Sequence, residues 1–155
     1  LCFGGLNPYC CVRIWERVIL PCALYSCNIW TCLSEKEYNM LETVQNIFCK
    51  NIQGLSKRGS STIARDSIGL VTLQRYIHQK SLIFLGKMFN SHTGLIFKTV
   101  LIHRLCQYRQ STLREQEEYS KRSPIFHMLN LAAKYDLNEC IHKYVSHAVF
   151  PNKTK

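Results

Sequence analysis

Apolar residues recur at helical spacing along most of this chain, and one stretch has both of its ends marked. Ser34 and Glu37 form a capping box, in which each side chain satisfies a backbone donor at the start of a helix. Gly54 stands where a left-handed residue would end that helix. Between them the apolar positions fall every three or four residues, which predicts one buried helix face. These positions are Tyr38, Leu41, Val44, Phe48 and Ile52.

Proline marks the start of the first helix and then interrupts it. Asn7 followed by Pro8 predicts a capped start, because the first turn does not use the N–H group that proline lacks. Pro21 predicts a kink or a restart, since its ring clashes with the preceding turn. Residues 22–31 are nearly all apolar and are expected to form a second, buried helical piece. Three aromatic residues in this region are expected to anchor the core rather than to stack on bases: Trp15, Tyr25 and Trp30.

The central third of the chain predicts a basic loop and two further helices. The basic loop comprises residues 55–61, which are polar and carry two cations. After a short helical segment that breaks near Gly69, a longer helix follows. Residues 96–107 predict another helix, although their β-branched side chains leave a strand open. The buried face of the longer helix after Gly69 consists of Leu70, Leu73, Ile77, Phe84 and Met88.

A polar stretch separates this central part from the C-terminus. Residues 109–122 are mixed in charge, which fits either a solvated helix or a linker. We therefore expect two regions, a helical region over residues 1–110 and a C-terminal helical extension over residues 111–155.

The C-terminal extension predicts a helical hairpin. Ser123 and Pro124 repeat the cap-then-proline pattern and start a helix that runs to residue 135. Asn138 is expected to cap a last helix over residues 139–149. Together these patterns predict an all-α fold, a bundle of about six to eight helices with a basic loop and a C-terminal helical hairpin.

The net charge of +10 is concentrated in one part of the chain. Residues 54–110 contain nine cations and a single anion, Asp66. Such a surplus suits a polyanion such as nucleic acid, and an ordinary solvated basic surface is the alternative. On the helix that contains them, Lys80 and Lys87 lie about 20° apart, so that they could contact phosphates together or simply border the core face. The nine cations are Lys57, Arg58, Arg65, Arg75, Lys80, Lys87, Lys98, Arg104 and Arg109.

The cysteines favour a reducing compartment, because nine of them are scattered among apolar residues without a disulfide-like framework. No signal peptide is recognisable after Leu1, so we expect an intracellular protein of the nucleus or cytoplasm whose chain is truncated upstream. The apolar stretch 18–33 is shorter than the roughly 20 residues that span a membrane, and we expect no membrane partner.

The sequence contains few of the groups that catalysis needs. A polymerase site holds two Mg²⁺ ions with clustered carboxylates, whereas Asp66 and Asp136 are the two aspartates here and neither has a carboxylate neighbour. The common phosphate-loop, zinc-helix and serine-elbow motifs are absent. His142 and His147 do not share a helix face. We therefore expect no cofactor, no metal site and no small-molecule ligand in this chain.

Several blocks follow one another in a definite order and spacing: GLNP at 5–8, ILPCALYSCNIW at 19–30, MLETVQNIFCKNIQGLSKRGS at 40–60, IGL at 68–70, KSLIFLGKM at 80–88, IFKTVLIHRLCQY at 96–108, KYDLNECI at 134–141 and FPNK at 150–153. In this order and spacing they resemble the reverse transcriptases of non-LTR (LINE-type) retrotransposons, in the region downstream of the catalytic palm. Two blocks depart from the family pattern. In its Tyr-Gly-x-Glu-x-Trp block, Ser26 replaces the glycine and Asn28 the acidic residue, and in its Gly-Leu-Pro-x-Arg turn, Ser56 replaces the proline. Such departures suit a decayed copy.

The resemblance implies a thumb and C-terminal extension that grips the template and primer backbone beside an upstream palm. The catalytic aspartates and their Mg²⁺ would belong to that palm, so this chain would not polymerise by itself. The implied partners are the palm domain and RNA or an RNA–DNA hybrid, bound without sequence preference. The implied contact residues are Lys57 and Arg58 first, then Arg65, Arg75, Lys80 and Lys87.

Two other interpretations stay open. The chain could be a stand-alone basic helical module that binds another protein through its apolar helices. It could also be a non-functional relic of a transposable element. A fragment severed from its palm is also expected to expose apolar faces around Trp15 and Trp30 and to self-associate.

Overall fold

A computed structural model describes residues 7–30, 33–90, 95–139 and 141 of the chain. Across these ranges the backbone forms helices and turns and no strand, which confirms the all-α prediction. Residues 96–107, for which the sequence left a strand as an alternative, are helical. The α-helical segments are α1 (Pro8–Ile14), α2 (Leu20–Ala23), α3 (Glu35–Ile52), α4 (Ser61–Asp66), α5 (Leu73–Asn90), α6 (Leu95–Gln110), α7 (Leu113–Arg122) and α8 (Pro124–Lys134).

The first helix passes through Pro21 without restarting. Trp15–Ile19 forms a π-helical turn that joins α1 to α2, and the N–H of Leu20 donates to the carbonyl of Trp15, five residues back. In a regular α-helix the proline ring would clash with the carbonyl four residues before it. The wider π turn immediately before the proline relieves that clash and keeps the helix continuous.

The helix predicted for residues 22–31 does not continue beyond Ala23, where α2 ends, over the described residues. Ser26 adopts a left-handed backbone with φ of 59°, and a short 3₁₀ turn over Cys27–Ile29 follows. Because the chain curls there instead of continuing as a helix, few of its apolar side chains reach the core, among them that of Leu24. Tyr25 is 80% exposed, so its predicted role as a core anchor is wrong.

The chain divides into two compact units. Unit 1 consists of Leu1–Cys27 with Leu33–Gln79, and unit 2 of Asn28–Cys32 with Lys80–Lys155. The division falls within α5, between Gln79 and Lys80, and the boundary expected near residue 110 stays a prediction. The physical reason for the division is that α6 shares a hydrophobic core with α8 and with the second half of α5.

In unit 1, α3 packs against the first helix and against α4. The rings of Trp15 and Phe48 stack with their centroids 4.2 Å apart and their planes 16° from parallel. Gln45 is almost fully buried, and its Nε2 donates to the carbonyl of Val71 at 2.8 Å. These contacts confirm the core role expected of Trp15, which is 6% exposed.

In unit 2, the core lies between α5, α6 and α8. Met128 at its centre is 1% exposed. The hydroxyl of Tyr108, at the edge of this core, donates to Oδ1 of Asn130 at 2.6 Å. The buried members of the core are Leu85, Met88, Leu101, Leu105, Met128, Leu129 and Ala132.

Within the polar residues 109–122, for which the sequence left a linker as an alternative, Leu113–Arg122 forms the helix α7. Thr112 and Glu115 form a second capping box at its start, with the N–H of Thr112 donating to the Glu115 carboxylate at 2.8 Å. The helix packs on α8, where the ring of Tyr119 meets that of Phe126. The start predicted for α8 at Pro124 is confirmed.

The last predicted helix, over residues 139–149, lies almost entirely outside the described residues. At its start, the N–H of Ile141 donates to the carbonyl of Leu137 at 3.2 Å. Throughout the part of the chain described here, no helix combines the length and the apolar character that crossing a membrane requires.

Candidate functional site

The basic loop joins α3 to α4 in unit 1 through two tight turns. Gly54 has φ of +65°, a left-handed conformation that glycine adopts without strain. The N–H of Leu55 donates to the carbonyl of Lys50 at 2.9 Å, which closes the end of α3. The N–H of Gly59 donates to the carbonyl of Ser56 at 3.0 Å. These bonds fix the loop backbone around its two cations.

Lys57 and Arg58 project from this loop with exposed side chains. Nζ of Lys50 donates to the carbonyl of Lys57 at 3.0 Å, so that a third cation lies beside the first two. Lys50 was not among the contact residues predicted from the sequence. The available signal was its place in the last turn of α3, where lysine side chains reach carbonyls at the helix end.

Arg65 is placed differently from the other predicted contact residues. Its side chain is 15% exposed and lies 3.8 Å from Oε2 of Glu42 and 3.4 Å from Oδ1 of Asp66. Oε1 of Glu42 accepts a hydrogen bond from the N–H of Gln74 at 3.2 Å. Arg65 therefore connects α4 to α3, and two carboxylates offset its charge. This arrangement does not favour a phosphate contact at Arg65.

The helix α5 carries the three remaining predicted contact residues, and all have exposed side chains. Arg75 belongs to unit 1, whereas Lys80 and Lys87 belong to unit 2. Seven helical residues separate the two lysines by about 10 Å along the axis and about 20° around it. Ile83 lies on the same flank and is 46% exposed. The flank predicted from the sequence therefore faces solvent.

Ion pairs leave most of these cations free among the described residues. Lys57, Arg58, Arg75 and Lys87 form no ion pair there, whereas Arg65 has two carboxylate partners. Of the six predicted contact residues, five have exposed side chains: Lys57, Arg58 and Arg75 in unit 1, and Lys80 and Lys87 in unit 2. Of the other central cations, Arg104 and Arg109 are exposed on α6.

Reactive groups are sparse in the described part of the chain. No group of three His, Cys, Asp or Glu side chains there could hold a metal ion. Asp66 pairs with Arg65, and Asp136 follows the end of α8 with φ of 54°. Burial raises the pKa of the Cys49 thiol to about 11, so that it stays protonated near neutral pH and is a poor nucleophile.

Comparison with known proteins identifies no relative: no family model, curated protein or solved structure matches the chain. A functional interpretation therefore draws on the residues themselves and on the block-by-block resemblance described above.

Proposed function

We propose that this chain is the helical part of a transposable-element reverse transcriptase, an RNA-directed DNA polymerase, and contacts template and primer beside a palm encoded upstream. It binds RNA or an RNA–DNA hybrid through phosphates and without sequence preference, and the Mg²⁺ ions belong to the palm. The observation that carries the proposal is the exposure of five of the six predicted contact residues, Lys57, Arg58, Arg75, Lys80 and Lys87.

The physical basis is the release of counterions from the nucleic acid. Each phosphate that a lysine or arginine neutralises frees condensed cations, so that affinity falls as salt rises. An exposed cation without a carboxylate partner contributes to this effect, because it exchanges no internal ion pair for the phosphate. Lys57, Arg58, Arg75 and Lys87 meet this condition among the described residues, and Arg65 does not.

The backbone at Ser26 adds support for the resemblance. Ser26 occupies the position at which the resembling family has glycine, and its φ of 59° is one that glycine adopts at little cost. A left-handed residue at this point explains why glycine suits the family block, since other residues lose about 1–2 kcal/mol there.

Fluorescence anisotropy of a labelled RNA–DNA hybrid tests the proposal. We expect binding at about 50 mM salt and a strong loss of affinity at about 200 mM, because phosphate contacts weaken as salt rises. An RNA–DNA hybrid of another sequence should compete comparably with the labelled hybrid, because phosphate contacts do not read the bases. Absence of association at the lower salt, or affinity that stays unchanged at the higher salt, would refute the proposal.

A second candidate function, binding to another protein, is favoured by one surface of α3. Met40, Val44 and Ile47 recur at helical spacing and are each more than half exposed, so the buried position predicted for Val44 is wrong. An apolar stripe of this kind is typical of helices that dock against a partner. Replacing Lys57 and Arg58, together with Lys80 and Lys87, by glutamate discriminates the two functions. Unimpaired association in cells would favour the protein partner.

A further inference from the structure

A groove of about 390 Å³ opens in unit 2 where α6, α7 and α8 meet. This volume lies at the low end of the range of about 300–1,000 Å³ found for ligand pockets. It suits a group smaller than a typical cofactor. Its lining includes Arg104, Gln107, Gln110, Glu115, Tyr119 and Phe126.

Tyr119 gives the groove an aromatic wall that is both exposed and supported. Its side chain is 50% exposed, while its ring lies 5.4 Å from that of Phe126, centroid to centroid. Phe126 is 2% exposed and is held in turn by the ring of Tyr108 at 5.6 Å. A ring that is fixed from behind and open in front offers a platform on which a flat ligand can stack.

The polar groups of the groove are of opposite charge. Nη1 of Arg104 donates to Oε1 of Gln107 at 3.0 Å, which holds the guanidinium at the groove. Oε2 of Glu115 accepts from the N–H and the Oγ1 of Thr112, at 2.8 and 3.0 Å. These bonds lower the pKa of Glu115, so that it is an ionised acceptor near neutral pH. No described residue donates a hydrogen bond to its Oε1, which can therefore accept one from a ligand.

The connection between α6 and α7 is braced by an amide side chain. Nε2 of Gln116 donates to the carbonyls of Tyr108 and Ser111, at 2.8 and 3.2 Å. Nδ2 of Asn130 on α8 donates to the carbonyl of Gln116 at 3.3 Å. All three helices around the groove are therefore tied together before a ligand arrives, which lowers the entropy that binding has to remove.

We infer that this groove accepts an unpaired nucleobase that carries an exocyclic amino group, and the inference rests on the proposed function. The base stacks on Tyr119, its amino group donates to Glu115, and an adjacent phosphate contacts Arg104. A carboxylate accepts well from an amino group such as that of cytosine. In uracil, two carbonyl oxygens flank the single ring N–H and would face the carboxylate, so adenine or cytosine is preferred over uracil.

The test compares single-stranded oligo(rA), oligo(rU), an abasic strand and an RNA–DNA hybrid by anisotropy. We expect oligo(rA) to bind more tightly than oligo(rU) or the abasic strand. Tyr119→Leu should weaken oligo(rA) binding about 10-fold, since one stacked base is worth roughly that factor or more. Tyr119→Phe, which keeps the ring, should bind within about twofold of the wild type, and hybrid binding should not change, because paired bases cannot enter the groove.

Two variants make the outcome decisive. Tyr25→Leu removes a tyrosine that is 80% exposed in unit 1 and should have no effect on oligo(rA) binding. Glu115→Gln keeps a capping-box residue at its position and should abolish the preference for oligo(rA) over oligo(rU). This variant also decides the matter if Tyr119→Leu does not fold.

The results separate this inference from the proposed function. Hybrid binding that persists while Tyr119→Leu and Glu115→Gln leave oligo(rA) binding unchanged would overturn the inference alone. Failure of the wild-type chain to bind either the hybrid or a single strand would overturn both.

Discussion

Replacing Lys80 and Lys87 by glutamine should reduce the salt dependence of nucleic-acid binding, and the size of the reduction follows from the number of phosphate contacts removed. Both side chains are exposed on one flank of α5, and the approximately 10 Å between them along the axis is well beyond the roughly 3.4 Å that separates successive phosphates of one strand along a duplex axis. The two lysines can therefore neutralise two different phosphates at once. Each phosphate contact contributes about 0.9 to the slope of log affinity against log salt, so the double variant should lose about 1.8.

This slope difference gives a measurable change in affinity ratio. A fourfold rise in salt, from about 50 to about 200 mM, should reduce the ratio of wild-type affinity to variant affinity by about 12-fold. Anisotropy titrations of a labelled RNA–DNA hybrid at several salt concentrations measure both slopes. Arg114→Gln with Lys134→Gln is the matched control, because it removes the same charge from exposed positions on α7 and at the end of α8. Equal slopes for wild type and variant, or an equal loss in the control, would refute the phosphate contacts.

Three further predictions concern stability, which chemical denaturation followed by circular dichroism measures. Arg65→Gln should destabilise the fold by about 1–3 kcal/mol, because it leaves the mostly buried carboxylate of Glu42 without its partner, and it should leave the salt slope of binding intact. A reduced slope would show that Arg65 contacts phosphate after all. Ser26→Gly should stabilise by about 1 kcal/mol, since it relieves a left-handed non-glycine residue, and a loss of stability would contradict the assigned backbone. Burial lowers the pKa of His127 below its usual 6.5. As the pH drops, this side chain is therefore protonated in the unfolded chain before it is protonated in the folded chain. The free energy of unfolding should consequently fall as the pH drops from 7 towards 5.5. His127→Gln should flatten that dependence, and an unchanged pH profile would exclude His127 as its source.

Local signals predicted the helix starts well. The capping box of Ser34 and Glu37 and the proline at Pro124 act within one turn of chain, so a reader of the sequence sees the whole interaction. Thr112 and Glu115 carry the same capping-box signature, but no helix start was predicted from it, because the mixed charges around it also suggested a linker. Recognising that box would have favoured a helix over the linker there.

Features that depend on distant residues were not predictable in the same way. The burial of Arg65 follows from Glu42, which is far from it in the sequence and one helix earlier. The π turn before Pro21 is one of several ways in which a chain can accommodate proline, and hydrophobic periodicity does not choose among them. The exposure of Tyr25 follows from that local geometry and from the left-handed Ser26.

The central cations differ in whether they form ion pairs, and this difference helps to distinguish a phosphate-binding surface from an ordinary solvated basic surface. Two carboxylates within unit 1 offset the charge of Arg65, so replacing Arg65 should lower the free energy of unfolding. Lys57, Arg58 and Lys87 make no ion pair among the described residues, so their loss should leave stability nearly unchanged. A solvated basic surface predicts that such substitutions also leave nucleic-acid binding unchanged beyond the effect of net charge. A phosphate-contacting surface predicts instead that binding depends on where the charge is removed, which controls of equal charge at other exposed positions can measure.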